Sequence, residues 1–215
     1  MHILVTAGPT REHLDPIRFI SNRSSGKMGY AIAQRAVARN HRVTLVSGPV
    51  ALAAPEAVEL LPVVSARDML AAVERCLPAC DALIMCAAVA DWRPREMAPG
   101  KLKKNTMQPV IELVPNPDIL STIAPLKGQR TFIGFAAETD DLIANATDKL
   151  IRKGLDMIVA NDVSAADAGF GVDTNRVSLL TPSAAPRHLP LMGKEEVADA
   201  ILDWLEKTVA ANARR

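Results

Sequence analysis

"HILVTAG" (residues 2–8) is a compact run of aliphatic and β-branched residues that stops at a glycine. It is apolar at consecutive rather than alternate positions, so it reads as a parallel strand buried on both faces. A loop over 9–25 follows. Then "KMGYAIAQRAVARN" (27–40) sets Met28, Ile32 and Ala36 at helical spacing, with Asn40 as the C-terminal cap. "RVTLVSG" (42–48) is a second strand of the first kind. Strand, helix and strand in immediate succession form the unit from which a parallel sheet is wound.

The same rhythm continues outward. "SARDMLAAVERCL" (65–77) opens on Ser65 and Asp68, a capping-box pair, and runs on as a helix. "DALIMCAAVA" (81–90) is a strand, "NPDILSTIAPL" (116–126) a short helix and "TFIGFAAE" (131–138) a strand. A helix over 141–153 closes at Gly154, and "LDMIVAND" (155–162) and "NRVSLLT" (175–181) are strands. "GKEEVADAILDWLEKTVAA" (193–211) is an amphipathic terminal helix. The pattern predicts an α/β fold of three layers: a Rossmann-like, mostly parallel sheet with helices on both faces and one late antiparallel strand. One domain over 1–215 is expected, with 93–105 a mobile lysine loop and 163–192 an annex or dimer-contact region. Ligands of such folds collect at the carboxyl ends of the strands, which here are 8–26, 47–55, 86–104, 135–140 and 160–175.

The 215 residues carry Lys+Arg 25 against Asp+Glu 24, and aromatic residues are 3% of the chain. A net charge of +1 with so few rings gives no support to nucleic-acid binding, so an anion site has to come from locally placed cations. No apolar run approaches membrane-spanning length, and the N-terminus lacks a signal sequence. A soluble, cytoplasmic protein is expected. Three cysteines, Cys76, Cys80 and Cys86, read as reduced, buried thiols rather than a zinc site.

The loop before the first helix, "FISNRSSGKMGYA" (19–31), carries the chemistry. It is not a Walker loop: Ser21 stands where the first glycine belongs and Met28 where the hydroxyl belongs. Gly26 and Gly29 match part of a dinucleotide fingerprint. A nicotinamide-dependent reductase of the short-chain kind would also need Tyr-x-x-x-Lys, and four residues after Tyr30, the only tyrosine, stands Gln34. What remains is physical: Ser24, Ser25 and Gly26 precede first-turn amides that lack internal partners and carry partial positive charge, which suits an anion. A plain serine cap is the alternative. "KLKK" (101–104) and the helix-sharing pair Lys149 and Lys153 are further cationic signals, each also explicable as solvated or as complementing a helix dipole. Asp91 and Asp118 are carboxylates suited to magnesium or a base, Asp118 equally to a helix cap. The four histidines are scattered, against a nucleophilic hydrolase. These features favour polyphosphate binding with phosphoryl or nucleotidyl transfer. A non-catalytic nucleotide-sensing module is the other class.

Taken in order, "TAGPTREHLDPIRFISNRSSGKMG" (6–29), "AAVADW" (87–92), "KLKK" (101–104), "NPDIL" (116–120), "GFAAET" (134–139), "KLIRKGLDMIVAND" (149–162) and the N-x-V at 175–177 resemble the bacterial, CTP-dependent phosphopantothenate–cysteine ligases, from residue 3 to about 181. The resemblance implies a ligase of coenzyme A synthesis. It would activate 4′-phosphopantothenate as an acyl-cytidylate with release of pyrophosphate, then join it to L-cysteine with release of CMP. It implies Asn22 and Lys101 as catalytic residues. Asn22 would polarise the acyl carbonyl, and Lys101 would neutralise the α-phosphate. CTP contacts are implied at Ser24, Ser25, Gly26, Met85, Cys86, Ala87, Asp91, Lys101, Pro117, Asp118, Ile119, Leu120, Phe135, Lys149 and Lys153. Arg18, Asn22 and Ala88 are implied for phosphopantothenate. Mg2+ held mainly by the CTP phosphates, no flavin in this chain, and a homodimer that completes the site are implied as well. In many bacteria such ligases are fused behind a flavin decarboxylase. None precedes Met1, so a free-standing ligase or one half of a bifunctional protein is expected, with the decarboxylase as a fused or separate partner.

Overall fold

The structure is a computed structural model and describes residues 1–104, 110–138, 140–162, 169 and 171–212. In chain order the elements are β1 (His2–Ala7), β2 (Arg11–His13), β3 (Phe19–Ser21), α1 (Lys27–Ala38), β4 (Arg42–Ser47), β5 (Glu59–Pro62), α2 (Ala66–Cys76) and β6 (Ala82–Met85). There follow β7 (Trp92–Pro94), β8 (Leu113–Pro115), α3 (Ile119–Ile123), β9 (Thr131–Glu138), α4 (Leu142–Arg152), β10 (Met157–Asp162), β11 (Thr174–Asn175), β12 (Val177–Thr181), β13 (Ala184–His188), β14 (Met192–Gly193) and α5 (Lys194–Asn212).

Eight strands form one sheet in the order β13-β12-β10-β9-β6-β1-β4-β5. Only β12 runs against the others: it is antiparallel to β10 on one side and to β13 on the other. From β1 the chain winds outward through β4 and β5, then crosses back to β6 and winds the other way. The crevice between the carboxyl ends of β1 and β6 is therefore the switch point where α/β sheets bind ligands. Alternate residues of β1 feed two cores. Ile3, Val5 and Ala7 pack under α1 and α5, while Leu4 packs under α2, α3 and α4.

Local chemistry explains the helix ends. Ser65 accepts from Asp68 N and Asp68 returns the bond to Ser65 N, a complete capping box. Asn40, at φ 62, ends α1 in a Schellman turn, with Asn40 N on Val37 O at 2.8 Å and His41 N on Ala36 O at 3.1 Å. Gly29 lets α1 lie hard on β1, since a Cβ there would meet the Ala7 Cβ at 2.6 Å.

Several boundaries differ from the sequence expectation. The strand read over 81–90 ends at Met85, and 86–90 leaves the sheet to floor the crevice. "NRVSLLT" divides into β11 and β12. β5 and β13 carry no apolar alternation: their residues are largely exposed on sheet edges, where burial writes no pattern. The break at 91–115 holds a two-stranded ribbon, β7 with β8. Part of the expected lysine loop (Asn105) and of the 163–192 region (163–168 and 170) lies outside the described residues; β12 and β13 extend the main sheet.

Candidate active site

The crevice floor is stitched between two backbone segments. Ala88 N donates to Gly8 O at 2.9 Å and Thr10 N to Ala88 O at 3.2 Å. Two buried hydroxyls hold the rest: Thr6 Oγ1 accepts from Ala87 N at 3.1 Å and Thr10 Oγ1 from Ala90 N at 3.0 Å. Asn22 reaches the same point, its Nδ2 donating to Ala88 O at 3.0 Å. One amide hydrogen of Asn22 is thus used to orient the side chain, and the amide keeps a second donor.

Over this floor lies a cleft of about 740 Å3. Its wall contains Asn22, Ser24, Ser25 and Gly26 from the loop before α1, and Met85, Cys86, Ala87, Ala88 and Asp91 after β6. Pro117, Asp118, Ile119 and Leu120 come from the start of α3, Phe135 from β9, and Lys149 and Lys153 from α4 and its C-terminal cap. Of the residues the resemblance implied for catalysis or binding, Arg18 and Lys101 alone stand outside this lining. They neighbour each other instead: Arg18 donates to Leu102 O at 2.9 Å and to Asp15 Oδ2 at 2.5 Å, and Leu102 N donates to that same carboxylate oxygen at 3.1 Å. The Arg18 guanidinium, with the backbone amides of Ile17, Leu102 and Arg18, outweighs burial and holds the Asp15 carboxyl far below the usual carboxylate range.

The start of α1 is not capped by a serine side chain. Its cap is Gly26, in the left-handed region at φ 80, with no side-chain hydrogen bond to the first turn. A Cβ at Gly26 would also meet Val50 Cγ1 at 2.8 Å. Only glycine fits, and the first-turn residues line the cleft, a geometry suited to an anion.

At the opposite wall Lys149 of α4 and Lys153, the residue that caps it, are engaged within the protein. Lys149 Nζ donates to Phe135 O at 2.8 Å, and Lys153 Nζ to Ser121 Oγ at 2.6 Å and to Asp118 Oδ2. Lys153 is buried to 7% exposure, more than complementing a helix dipole requires. Asp118 caps α3 by accepting from Ser121 N at 3.0 Å. Burial works to raise its pKa, but Lys153 and that amide prevail and lower it.

Sequence reasoning passed over Lys27, Asn116, Arg152, Asn161, Asn175 and Lys194, which also line the cleft. Asn161 and Asn175 stood in quoted motifs with no role. Lys194 gave no signal, since it begins a helix that reads as generic. Tyr30 is a core residue whose hydroxyl donates to Ser47 Oγ at 3.1 Å, which accounts for it without proton transfer. Ser178 and His188 pair at 2.7 Å across β12 and β13, outside the cleft lining. Cys80 is buried, Cys76 and Cys86 are partly exposed, and all three are free. Burial pushes the Cys86 thiol up to about 12.

Residues 1–209 match the family model described as the DNA/pantothenate metabolism flavoprotein C-terminal domain. The chain belongs to this family. A relative from Bacillus subtilis (strain 168), the coenzyme A biosynthesis bifunctional protein CoaBC, is 47% identical over 94% of this chain and 50% of its own length. The CoaBC of Escherichia coli (strain K12) is 47% identical over 94% of this chain and 51% of its own. The chain thus spans about half the length of the curated relatives it matches. The crystal structure of the C-terminal domain of a CoaBC superposes with a TM-score of 0.84 at 44% identity, covering 98% of this chain and 96% of that one. The mostly parallel, Rossmann-like sheet is therefore the fold of this flavoprotein C-terminal domain family. Among the described residues, no helix is long and apolar enough to cross a membrane.

Proposed function

We propose that this chain is the ligase of coenzyme A synthesis that joins 4′-phosphopantothenate to L-cysteine at the expense of CTP. The carboxylate of phosphopantothenate attacks the α-phosphorus of CTP, forming the acyl–phosphate bond as the bond to pyrophosphate breaks. The amine of cysteine then attacks the acyl carbon, CMP leaves, and the amine proton is lost as the amide forms. The observation that carries this reading is the convergence, at the switch point, of the motif residues of five separate segments on one cleft with a helix start at its edge. Membership of a family whose relatives are named for coenzyme A biosynthesis supports it.

In this mechanism Asn22, oriented by Ala88 O, offers its remaining amide hydrogen to the acyl oxygen as negative charge develops there. The amides from Gly26 onward take phosphate oxygens. Phe135 and the segment 117–120 enclose the nucleoside. Among the described residues no cluster of three or more His, Cys, Asp or Glu is arranged to hold a metal ion. Both carboxylates of the cleft lining are exposed, but Asp118 is engaged by Lys153, which leaves Asp91 as the one without an ion pair among the described residues. The donor set fits Mg2+ only as a chelate carried in on the triphosphate, with Asp91 as its protein contact. The metal would supply charge neutralisation at the phosphates.

Lys101 stands outside the lining of its own cleft, which suits a homodimer in which each lysine loop serves the neighbouring site. Ile17, Phe19, Trp92, Ile111 and Leu113, exposed on and beside the two ribbons, are the apolar surface for such a pairing. A cytoplasmic location and a decarboxylase as fused or separate partner belong to the same proposal. The test is incubation with phosphopantothenate, cysteine, CTP and Mg2+. Pyrophosphate, CMP and the amide are expected in equal amounts, with ATP, GTP and UTP poorer substrates. Absence of pyrophosphate overturns the reading.

A further inference from the structure

Two lysines far apart in the chain converge on one short stretch of backbone at the α1 end of the cleft. Lys194, the first residue of α5, is only 6% exposed, and its Nζ donates to Gly169 O at 2.8 Å and to Val172 O. Lys27, the first residue of α1, donates from Nζ to Gly171 O at 3.1 Å and to Asp173 Oδ1 at 2.7 Å. Both line the cleft beside the Ser24–Gly26 loop.

An ammonium has three hydrogens, and two carbonyls take two of those on Lys194. In the cleft wall Lys27 pairs with Asp173, Lys153 with Asp118 and Arg152 with Asp148, whereas among the described residues no carboxylate lies within ion-pair distance of Lys194. A buried charge with no counter-charge in direct contact is unfavourable. So is a lysine at the first residue of a helix, where the dipole is positive. Burial, and next the charge of Lys27, hold the Lys194 ammonium below its ordinary pKa and outweigh the opposing pull of Asp173, which is near but not in contact. An anion at this end would offset the charge of Lys27 and the helix dipole and give the Lys194 ammonium a counter-charge in contact.

The side from which it comes is also defined. A second groove, of about 860 Å3, borders the same two lysines from outside, but Glu56, Asp173, Glu195 and Glu196 line it and repel an anion. On the cleft side the neighbours are the uncapped amides of α1.

We propose that Lys194 and Lys27 form a phosphate-binding pair that closes the α1 end of the cleft. Lys194 is a fixed positive charge with one donor directed to the ligand, and Lys27 exchanges Asp173 for a phosphate oxygen. The pair is distinct from Lys149 and Lys153, which are engaged at the opposite wall. The chemistry recognised is a phosphate group, supplied by the tail of the triphosphate or by the phosphomonoester of the acyl substrate. This inference deepens the ligase reading and rests on it for the identity of those two ligands.

Calorimetric titration with inorganic tripolyphosphate, CMP, CTP and 4′-phosphopantothenate tests it on the wild type, Lys27→Met, Lys194→Met and Lys194→Arg. If the pair serves the triphosphate, both Met variants bind tripolyphosphate and CTP about tenfold or more weakly and CMP unchanged. If it serves the phosphomonoester, the loss falls on phosphopantothenate alone. Lys194→Arg recovers most of the affinity in either case. Unchanged binding of all four ligands, a loss that extends equally to CMP, or no phosphate binding by the wild type overturns the pair. Lys27 has a side chain 32% exposed and supports no core, so Lys27→Met keeps the test decisive if Lys194→Met fails to fold. The two readings fail separately. A protein that binds tripolyphosphate through these lysines but forms no amide loses the ligase reading and keeps the pair; one that forms the amide with variants binding phosphate as wild type does the reverse.

Discussion

Asn22 and Lys101 differ in what holds them, and that difference sets what their loss should do. Asn22 is oriented by a hydrogen bond to the cleft floor, whereas the neighbour of Lys101 is pinned and Lys101 itself is exposed. In the proposed mechanism Asn22→Asp places negative charge where the second step would develop an oxyanion. We expect amide formation to fall about 100- to 1,000-fold, the cost of losing such a donor, with acyl-cytidylate accumulating in mass spectra of the quenched reaction. Unimpaired amide formation in that variant would count against the role. Lys101→Gln should slow turnover by about 100-fold at unchanged melting temperature, since an exposed loop lysine carries no core; wild-type turnover would remove it from the chemistry. Cys86 makes a separate prediction. With its thiol pushed up to about 12 by burial, Cys86 is neutral at pH 8. Iodoacetamide should modify Cys86 at least about a hundredfold more slowly in the native protein than in denaturant, and equal rates would contradict a neutral thiol at this partly exposed position. At this scale the motifs were legible because chemistry restricts residue type: glycine alone fits at Gly26, and Asp118 has both a cap and a lysine to satisfy. Lys194 was not legible, because nothing in "MGKEEVADAIL" distinguishes a buried ammonium from a solvated one.

Elements were legible in proportion to how much they bury. β1, β4 and α1 announce themselves, whereas β5 and β13, lying on sheet edges with largely exposed residues, do not. The segment after β6 was misread as strand for the converse reason: its apolar residues are held by Thr6 and Thr10 rather than by a ladder. Asp15 shows an element positioned by a single side chain. Its carboxylate joins Arg18, the amides of Ile17 and Arg18, and Leu102 N, and so fastens the lysine segment beside the β2–β3 ribbon. Because the folded pKa is depressed, this anchor contributes its full stabilisation above the ordinary carboxylate value of about 4 and loses it as pH falls below that toward the depressed one. Asp15→Asn should leave the sheet intact by circular dichroism, hasten tryptic cleavage after Lys101, Lys103 and Lys104 about tenfold or more, and flatten the acid limb of the stability curve. Unchanged cleavage would show that Asp15 does not hold the segment.

For the whole molecule, the decisive prediction concerns how two copies share a site. If Lys101 serves the neighbouring cleft, Asn22→Asp and Lys101→Gln chains that are each nearly inactive should regain activity when mixed and allowed to exchange. A mixed dimer carries one intact site, so about a quarter of wild-type activity is expected at equal mixing. Activity no greater than the sum of the two variants would place Lys101 in its own cleft. The sequence by itself determined the layering, the parallel winding with one reversed strand, and which short motifs are chemically suited to anions. Each of these follows from local rules: apolar runs, caps, and glycines that tolerate positive φ. Only the tertiary structure decided that the crevice between β1 and β6 gathers those motifs into one cleft while leaving Arg18 and Lys101 beside it. It alone also brought Lys194, 167 positions along the chain from Lys27, onto the same strip of backbone as that residue. Side chains that meet across such separations owe their partnership to crossover geometry, and no local pattern in the chain encodes it.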